Sequence, residues 1–467
     1  MTKNQELNSY LSHLFGDDVE SFLAVKPEKR AIRINTIKTT KADLIEMLNR
    51  LKVDFNELTF NPYGFILNDD TIPLSHTLDF FQGKFQYQGI SSQIPALVLN
   101  PQPGENVLDI AAAPGSKSTQ LADRMKNEGQ LYLNDISNNR LQSLNVNVQR
   151  AGVLNEIILN MAGEGFGKRF PDYFDKILVD APCTALGTLA GSPEVASWWS
   201  YDKLKKLSVT QKQLLISAFK ALKPGGEMVY STCSIAPEEN EVLIQWLLDD
   251  YPVEIQDIDL KEKISCDDGK VEYDGQIFSD DLSKAIRVFP HRHEMEGFFV
   301  VKLMKLESTV KTNYSVNAKC LSTLSHTDPS IKNELDSLSQ LWGIEQKFWK
   351  SYRFIITKNR IWMMCGKIRQ VPSARLHNAG LLLAEKRLSG WKLTNQSVQI
   401  LGERIHKRTI TLKDEQVQEL FSTGFIQISG LEYGYYVLER ESKAIASVYW
   451  EKEKLQIRLP HVFRLAL

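Results

Sequence analysis

Five short apolar runs alternate with helical patterns between Asn106 and Ser231, and that alternation leaves the chain few folds to choose from. The runs are Asn106 to Ile110, Gln130 to Leu133, Glu156 to Leu159, Lys176 to Asp180 and Glu227 to Ser231. Strands covered on both faces read as continuous apolar runs, and strands separated by helices pair in parallel. The pattern predicts an α/β, open, doubly wound sheet. A polar, Asp-rich stretch from Cys266 to Asp281 reads as a surface insertion, after which Glu296-Gly297-Phe298-Phe299-Val300-Val301 resumes as a strand. Ligands of such sheets bind outside the carboxyl ends of the strands, so the residues at those ends carry the functional argument.

After Val107-Leu108-Asp109 and Ile110 come Ala111, Ala112, Ala113, Pro114, Gly115, Ser116 and Lys117, followed by a helical pattern from Ser118 to Met125. A run of small residues between strand and helix lets backbone approach a ligand closely, which marks a cofactor loop. Neither GxxxxGK[ST] nor GxGxxG is present, which disfavours a nucleotide held by its phosphates. The next strand ends at Asn134-Asp135, where a carboxylate can accept two hydrogen bonds from a ribose diol. Adenosine with a free ribose and no pyrophosphate points to S-adenosylmethionine. The competing readings are a structural turn for the loop and a helix N-cap for Asp135.

The fourth strand ends in Asp180-Ala181-Pro182-Cys183 and the fifth in Tyr230-Ser231-Thr232-Cys233-Ser234. Two thiols and a carboxylate therefore converge on the cleft that holds the methyl donor. C5 of cytosine is too weak a nucleophile to accept a methyl group unaided. A thiolate adding to C6 gives C5 enamine character, and loss of the C5 proton later expels the thiol. A carboxylate near N3 can hold and protonate the ring, stabilising the charge that develops there, and proton removal from C5 and release of the thiol fall to the second thiol or a water. Core packing is the competing reading for any single cysteine.

The rest of the chain frames this domain. With 467 residues, two or three domains are expected. Residues 1–92 mix helical patterns (Asn8 to Val19, Thr40 to Leu51) with a strand-like Ala31 to Thr36, an α+β unit. Residues 93–306 are the cofactor domain, and 307–467 form a C-terminal region that opens with a linker from Glu307 to Asn317 and ends in short strands, a small barrel over roughly 375–467. Net charge is −1, but from Thr309 onward Lys and Arg number 24 against 14 Asp and Glu, a net of +10, and the remainder carries −11. The basic third points to a nucleic-acid partner. Aromatics from Trp342 to Trp362 lie among basic residues, most of them expected to fill a core. Five widely spaced cysteines exclude a disulfide or zinc framework, and no metal is expected. No apolar run reaches membrane-spanning length and the first residues lack a signal-peptide pattern, so a cytoplasmic protein without membrane contact is expected, a monomer by default.

At these motifs the chain resembles the NOL1/NOP2/Sun family of RNA cytosine-5 methyltransferases, in particular the bacterial branch that modifies 16S ribosomal RNA. Val107 to Lys117, Asp180 to Cys183, Ser231 to Ser234 and Glu238-Glu239-Asn240-Glu241 carry the resemblance, with Arg33-Ile34-Asn35-Thr36 and Tyr87 to Ser92 upstream. It implies a Rossmann-like methyltransferase sheet, a C-terminal PUA-like RNA-binding region led by Gly380 to Ala384, Cys233 as nucleophile and Cys183 as the residue that assists release. It also places Ala111 to Lys117, Asp135 and Arg140 at the cofactor and Asp180 between cofactor and cytosine, with ribosomal RNA or the small subunit as substrate. Three departures stand out: Ala162 where the family has an Asp, Thr184-Ala185 where it has Ser-Gly, and Ala190-Gly191 in place of a basic pair. Two other readings remain, a transfer-RNA enzyme of the same chemistry and a catalytically weak RNA-binding assembly factor. A protein or adenine amino-methyltransferase would need Asn or Asp followed by Pro-Pro and an aromatic residue at the fourth strand, which Asp180 to Cys183 does not provide.

Overall fold

The computed structural model describes residues 2–69, 71–309, 320–388, 390–441 and 443–459. In the first region, a helix Gln5–Phe15 precedes β1 (Ala31–Ile34), a helix Lys41–Arg50, β2 (Phe55–Glu57), β3 (Gly64–Leu67) and β4 (Phe85–Tyr87). The strands form an antiparallel sheet in the order β2-β3-β1-β4. The first helix starts earlier than its apolar periodicity indicates because the Asn4 side chain accepts the Leu7 N–H at 3.0 Å, and it stops at Gly16, whose φ is +54°. Thr40 and Asp43 form a capping box on the second helix, which packs Leu44, Met47 and Leu48 against Ile32, Ile34 and Phe65.

All five expected strands are present: β5 (Asn106–Asp109), β6 (Gln130–Asn134), β7 (Glu156–Leu159), β8 (Phe174–Asp180) and β9 (Leu222–Thr232). They run parallel in the order β7-β6-β5-β8-β9, so the winding direction reverses between β5 and β8. A cleft opens there at the carboxyl ends. The sheet then becomes mixed. β10 (Val253–Gln256), β11 (Asp267–Asp268), a hairpin of β12 (Glu272–Tyr273) and β13 (Gln276–Ile277), β14 (Ile286–Val288) and β15 (Phe298–Lys305) follow, and β15 lies antiparallel to β9, β10 and β14. The Asp-rich stretch is thus more than a surface insertion, since β11 supplies partners for the backbone of β14. Helices cover both faces, with Phe166, Phe170, Leu215 and Phe219 on one side and Leu97, Leu121, Leu144 and Val148 on the other.

The upstream Arg33-Ile34-Asn35-Thr36 motif docks the first region onto this sheet. Arg33, 2% exposed, donates to Gln88 at 2.8 Å and Thr119 at 3.0 Å and pairs with Asp123 at 3.5 Å. Asn35 donates to the carbonyls of Gly83 and Ala151, both at 2.8 Å. The Arg33 contacts fix the helix that follows the cofactor loop, and those of Asn35 hold the end of the helix Asn138–Ala151.

The expected linker falls largely at 310–317, outside the described residues. Beyond it come β16 (Cys320–Ser322), a helix Pro329–Trp342, β17 (Tyr352–Ile356), β18 (Arg360–Cys365), β19 (Gln370–Pro372), β20 (Leu376–Ala379), β21 (Leu381–Arg387) and β22 (Gly390–Leu393). The chain continues through β23 (Thr409–Thr411), β24 (Phe425–Gln427), β25 (Gly434–Arg440), β26 (Lys443–Glu451) and β27 (Lys454–Gln456). The stretch expected to open a barrel near 375 divides instead: β20 pairs antiparallel with β7 at the edge of the central sheet, and β21 and β22 join β17 and β18. The last five strands form their own sheet, β23-β25-β26-β27-β24. Trp342, Trp349 and Phe354 are fully buried, as expected of core aromatics. Phe81 of the first region inserts against Phe421 of the last, ring centroids 5.3 Å apart.

Candidate active site

β5 and β8 deliver Asp109 and Asp180 side by side at the reversal point, and β9 delivers Ser231 to Cys233 next to them. Asp109 is 1% exposed and accepts from the Ser118 hydroxyl at 2.7 Å. Burial pushes its carboxyl up to about 7, with the charge of Asp180 adding to the rise and Ser118 and Lys117 opposing it. Between them Ala111 to Gly115 form the tight loop, whose Ala113–Pro114 peptide is cis. Gly115 has φ +106°, a backbone conformation that favours glycine, and the loop there packs close to Leu144 of the neighbouring helix. Ser116 and Lys117 open the following helix, Ser116–Arg124.

Lys117 does more than line this loop. Its Nζ lies 2.8 Å from Asp180 Oδ2 and 5.3 Å from the centroid of Phe298. Burial alone would depress the lysine, but Asp180, Cys233 and Asp109 outweigh it and raise it above its ordinary value. The other Asp180 oxygen accepts from Ser231 at 2.8 Å. Asp180 is therefore held on both sides by donors from two different elements.

The sulfurs of Cys183 and Cys233 lie 3.3 Å apart, both half-buried and neither in a disulfide. Cys183 titrates well above its ordinary value because it hydrogen-bonds Cys233 and is buried. The Lys117 cation is the positive charge that faces the Cys233 side of the pair. The loop after Cys183 is anchored from below by Glu239, which is fully buried. It accepts from Thr184 N at 2.9 Å, from the Thr184 hydroxyl and from Gln211 at 3.0 Å, while Gln211 also donates to the Pro182 carbonyl at 2.8 Å. Gly187 N donates to the Cys233 carbonyl at 2.9 Å, and a Cβ on Gly187 would meet Gly297 O at 2.2 Å. Both cysteines are consequently set by a shared network rather than by separate strand ends. The Thr184 hydroxyl donates to Glu239 and lies 3.2 Å from the Ser234 hydroxyl.

Asp135 is 2% exposed and accepts from Ser137 N at 2.9 Å. Ser137, not Asp135, caps the helix Asn138–Ala151. Its other oxygen has no aligned hydrogen bond, although Arg140 Nη1 stands 3.2 Å away, and Arg140 also donates to the Ala113 carbonyl. Asp109 Oδ1 is likewise buried without a hydrogen-bond partner. Two acceptors in need of donors, beside a loop that only small residues allow, fit an adenosyl cofactor with a free ribose and an amino group. Ala162 caps no helix with its side chain and offers no polar atom to such a ligand.

All twelve residues singled out from sequence thus lie at one edge of the sheet. Sequence reasoning missed Ser231 as a partner of Asp180 and Asn134 as the brace that donates to the Ile110 and Met161 carbonyls, both at 3.0 Å. A polar residue closing an apolar strand was the signal for Asn134. Glu239 stood within a noted motif, but nothing local showed that it supports Cys183. Among the described residues no helix is long and apolar enough to cross a membrane, and no group of three or more His, Cys, Asp or Glu could hold a metal ion.

Comparison with known proteins places this geometry. Residues 96–304 match the family described as 16S rRNA methyltransferase RsmB/F. The ribosomal RNA small subunit methyltransferase F of Escherichia coli O81 is 30% identical over 414 residues, covering 86% of this chain and 83% of the relative. The same enzyme of Pectobacterium atrosepticum is 32% identical with the same coverage. Among solved structures, a methyltransferase homolog from Pyrococcus horikoshii aligns with a TM-score of 0.58 and 36% identity, covering 64% of this chain and 94% of that one. NSun6 from the same organism, solved with SFG, shares the fold at a TM-score of 0.55 and 23% identity, over 65% and 98% of the two chains. With most of both chains aligned and the cleft built from the matched residues, this chain belongs to the RsmB/F family of ribosomal RNA methyltransferases.

Proposed function

We propose that the protein forms 5-methylcytidine in 16S ribosomal RNA, using S-adenosylmethionine and a covalent bond between Cys233 and C6 of the target cytosine. The observation that carries this reading is the pair of thiols 3.3 Å apart beside the Lys117–Asp180 ion pair. Loop residues Ala111 to Lys117 and Asp135 would hold the cofactor, with Arg140 bracing Asp135 against the loop and exposed Ile136, 69% accessible, offering an apolar face to adenine. S-adenosylmethionine supplies an electrophilic methyl group when bound.

The remaining work falls to side chains of the protein. The Cys233 thiolate forms the S–C6 bond, and Lys117 sets a positive charge beside the sulfur that must be anionic. Asp180, oriented by Lys117 and Ser231, would hold the N3 edge of the base and pass a proton to N3 as the S–C6 bond forms, neutralising the charge that develops there. Once C5 carries the methyl group, its proton passes to the Cys183 sulfur or to a water, and the electrons it leaves break the S–C6 bond and expel the Cys233 thiolate. An unpaired base must leave its stack to reach the cleft. Transfer of labelled methyl groups to small ribosomal subunits, naked 16S RNA and transfer RNA, followed by nucleoside analysis, tests the reading. It expects 5-methylcytidine in 16S RNA; 5-methylcytidine in transfer RNA alone, or none in any substrate, overturns it.

A further inference from the structure

A slot of about 200 Å³ opens where the three regions of the chain meet. Phe81 of the first region, Asn145, Val146 and Arg150 of the helix Asn138–Ala151, and Trp362 and Gln396 of the C-terminal region line it. Pockets for drug-sized molecules run to about 300–1,000 Å³, so this one suits a smaller, planar guest. Its walls are mainly apolar. Val146 is 54% exposed on an otherwise polar helix face, and the half-buried Trp362 indole stands beside it.

The rim is amide. Asn145 Oδ1 already accepts from Asn378 Nδ2 at 3.0 Å, which leaves Asn145 Nδ2 to donate. Gln396 has no hydrogen-bond partner among the described residues. Arg150 is locked at the base, 4.0 Å from the Phe80 ring centroid and donating to the Phe80 and Phe85 carbonyls at 2.9 and 3.3 Å. An aromatic platform with amides at its edge is the chemistry that holds an unstacked base, and the net +10 of the C-terminal third supplies attraction for its phosphates. A larger pocket of about 330 Å³ nearby lacks this character: its Lys84 and Arg50 are paired with Asp79, and its Arg440 with Asp414. The slot also lies close to the chemistry, since Asn147 on the same helix donates to the Pro114 carbonyl of the cofactor loop at 2.8 Å.

We propose that this three-way junction binds one unpaired nucleobase of the RNA substrate, away from the target cytosine, and so fixes the register of the strand. The inference rests on the RNA-modifying reading above. Its test uses the full-length enzyme and small-subunit ribosomal RNA transcribed with 4-thiouridine, irradiated and mapped by mass spectrometry. Crosslinks are expected on peptides carrying Val146 or Trp362. Trp362→Ala should weaken RNA binding about 5- to 100-fold, the loss of one base–aromatic stack, and Val146→Glu, at an exposed position, should weaken it measurably by putting a charge into the slot. Cofactor affinity and melting temperature should stay unchanged in Val146→Glu, and Trp362→Phe should restore binding. Crosslinks confined to other surfaces, or undiminished RNA affinity in Val146→Glu, overturn the proposal. Crosslinking needs no turnover, so a wild-type enzyme that makes no 5-methylcytidine defeats the functional reading while the slot is still read out.

Discussion

Ala185 holds a left-handed backbone, φ +55° and ψ 27°, at a position where the resemblance to related enzymes expects glycine. The conformation costs an alanine about 1–2 kcal/mol, offset in part by the greater freedom glycine has when unfolded, about 0.5–1 kcal/mol. Ala185→Gly should therefore stabilise the protein by up to about 1 kcal/mol, measured by chemical denaturation. The neighbouring cysteines allow a sharper statement. Cys233→Ala should abolish methyl transfer and leave no adduct, whereas Cys183→Ala should attack normally, stall at release and accumulate an RNA–protein adduct on denaturing gels. An adduct formed by Cys233→Ala, or none by Cys183→Ala, would reverse the assignment. Their positions at strand ends made both cysteines legible in sequence. The Lys117–Asp180 contact was not, because 63 positions separate the two residues and only the parallel pairing of β5 with β8 brings them together.

β7 shows what elements conceal from their own sequence. Its apolar run identifies a strand, yet its first residue is Glu156, fully buried, with one oxygen accepting from Gln149 at 3.0 Å and the other without a partner. Burial raises this carboxyl to about 8, and Asp109 and Glu28 reach about 7 for the same reason. The folded chain retains protons here that the unfolded chain releases near pH 4 to 5. The corresponding stability is complete below that range and drains away as pH rises through 7 to 8. Glu156→Gln cannot lose such a proton. Its melting temperature should exceed that of the wild type at pH 8.5, by about 2–4 °C per kcal/mol recovered, and the difference should close towards pH 5. Equal melting curves at both pH values would refute the argument. Local periodicity located the five parallel strands, but pairing along the sheet edges depends on partners far away in sequence, which is why β11 and β20 were not anticipated.

At the scale of the whole molecule, the three regions are joined by more than loops. Arg33 ties the first to the cofactor helix and Asn35 ties it to the end of the helix Asn138–Ala151, Phe81 reaches Phe421 of the last region, and β20 completes the central sheet. A chain ending at Leu306 would uncover the hydrogen-bonding edge of β7 and the partners of Leu154, whose carbonyl accepts from Cys365 N at 3.0 Å. Such a truncation should elute as oligomers in size-exclusion chromatography, and a clean monomer would show that β20 is dispensable. The strand pairing also bears on how the protein is made. Leu159 of β7 meets Leu376 of β20, 217 positions later in the chain. At synthesis rates of about 5–20 residues per second, the ribosome delivers the missing strand roughly 10–40 s after the edge that needs it. For that interval the nascent methyltransferase sheet stands open on one side, so its solubility during translation is set by whatever shields β7 until the C-terminal region arrives.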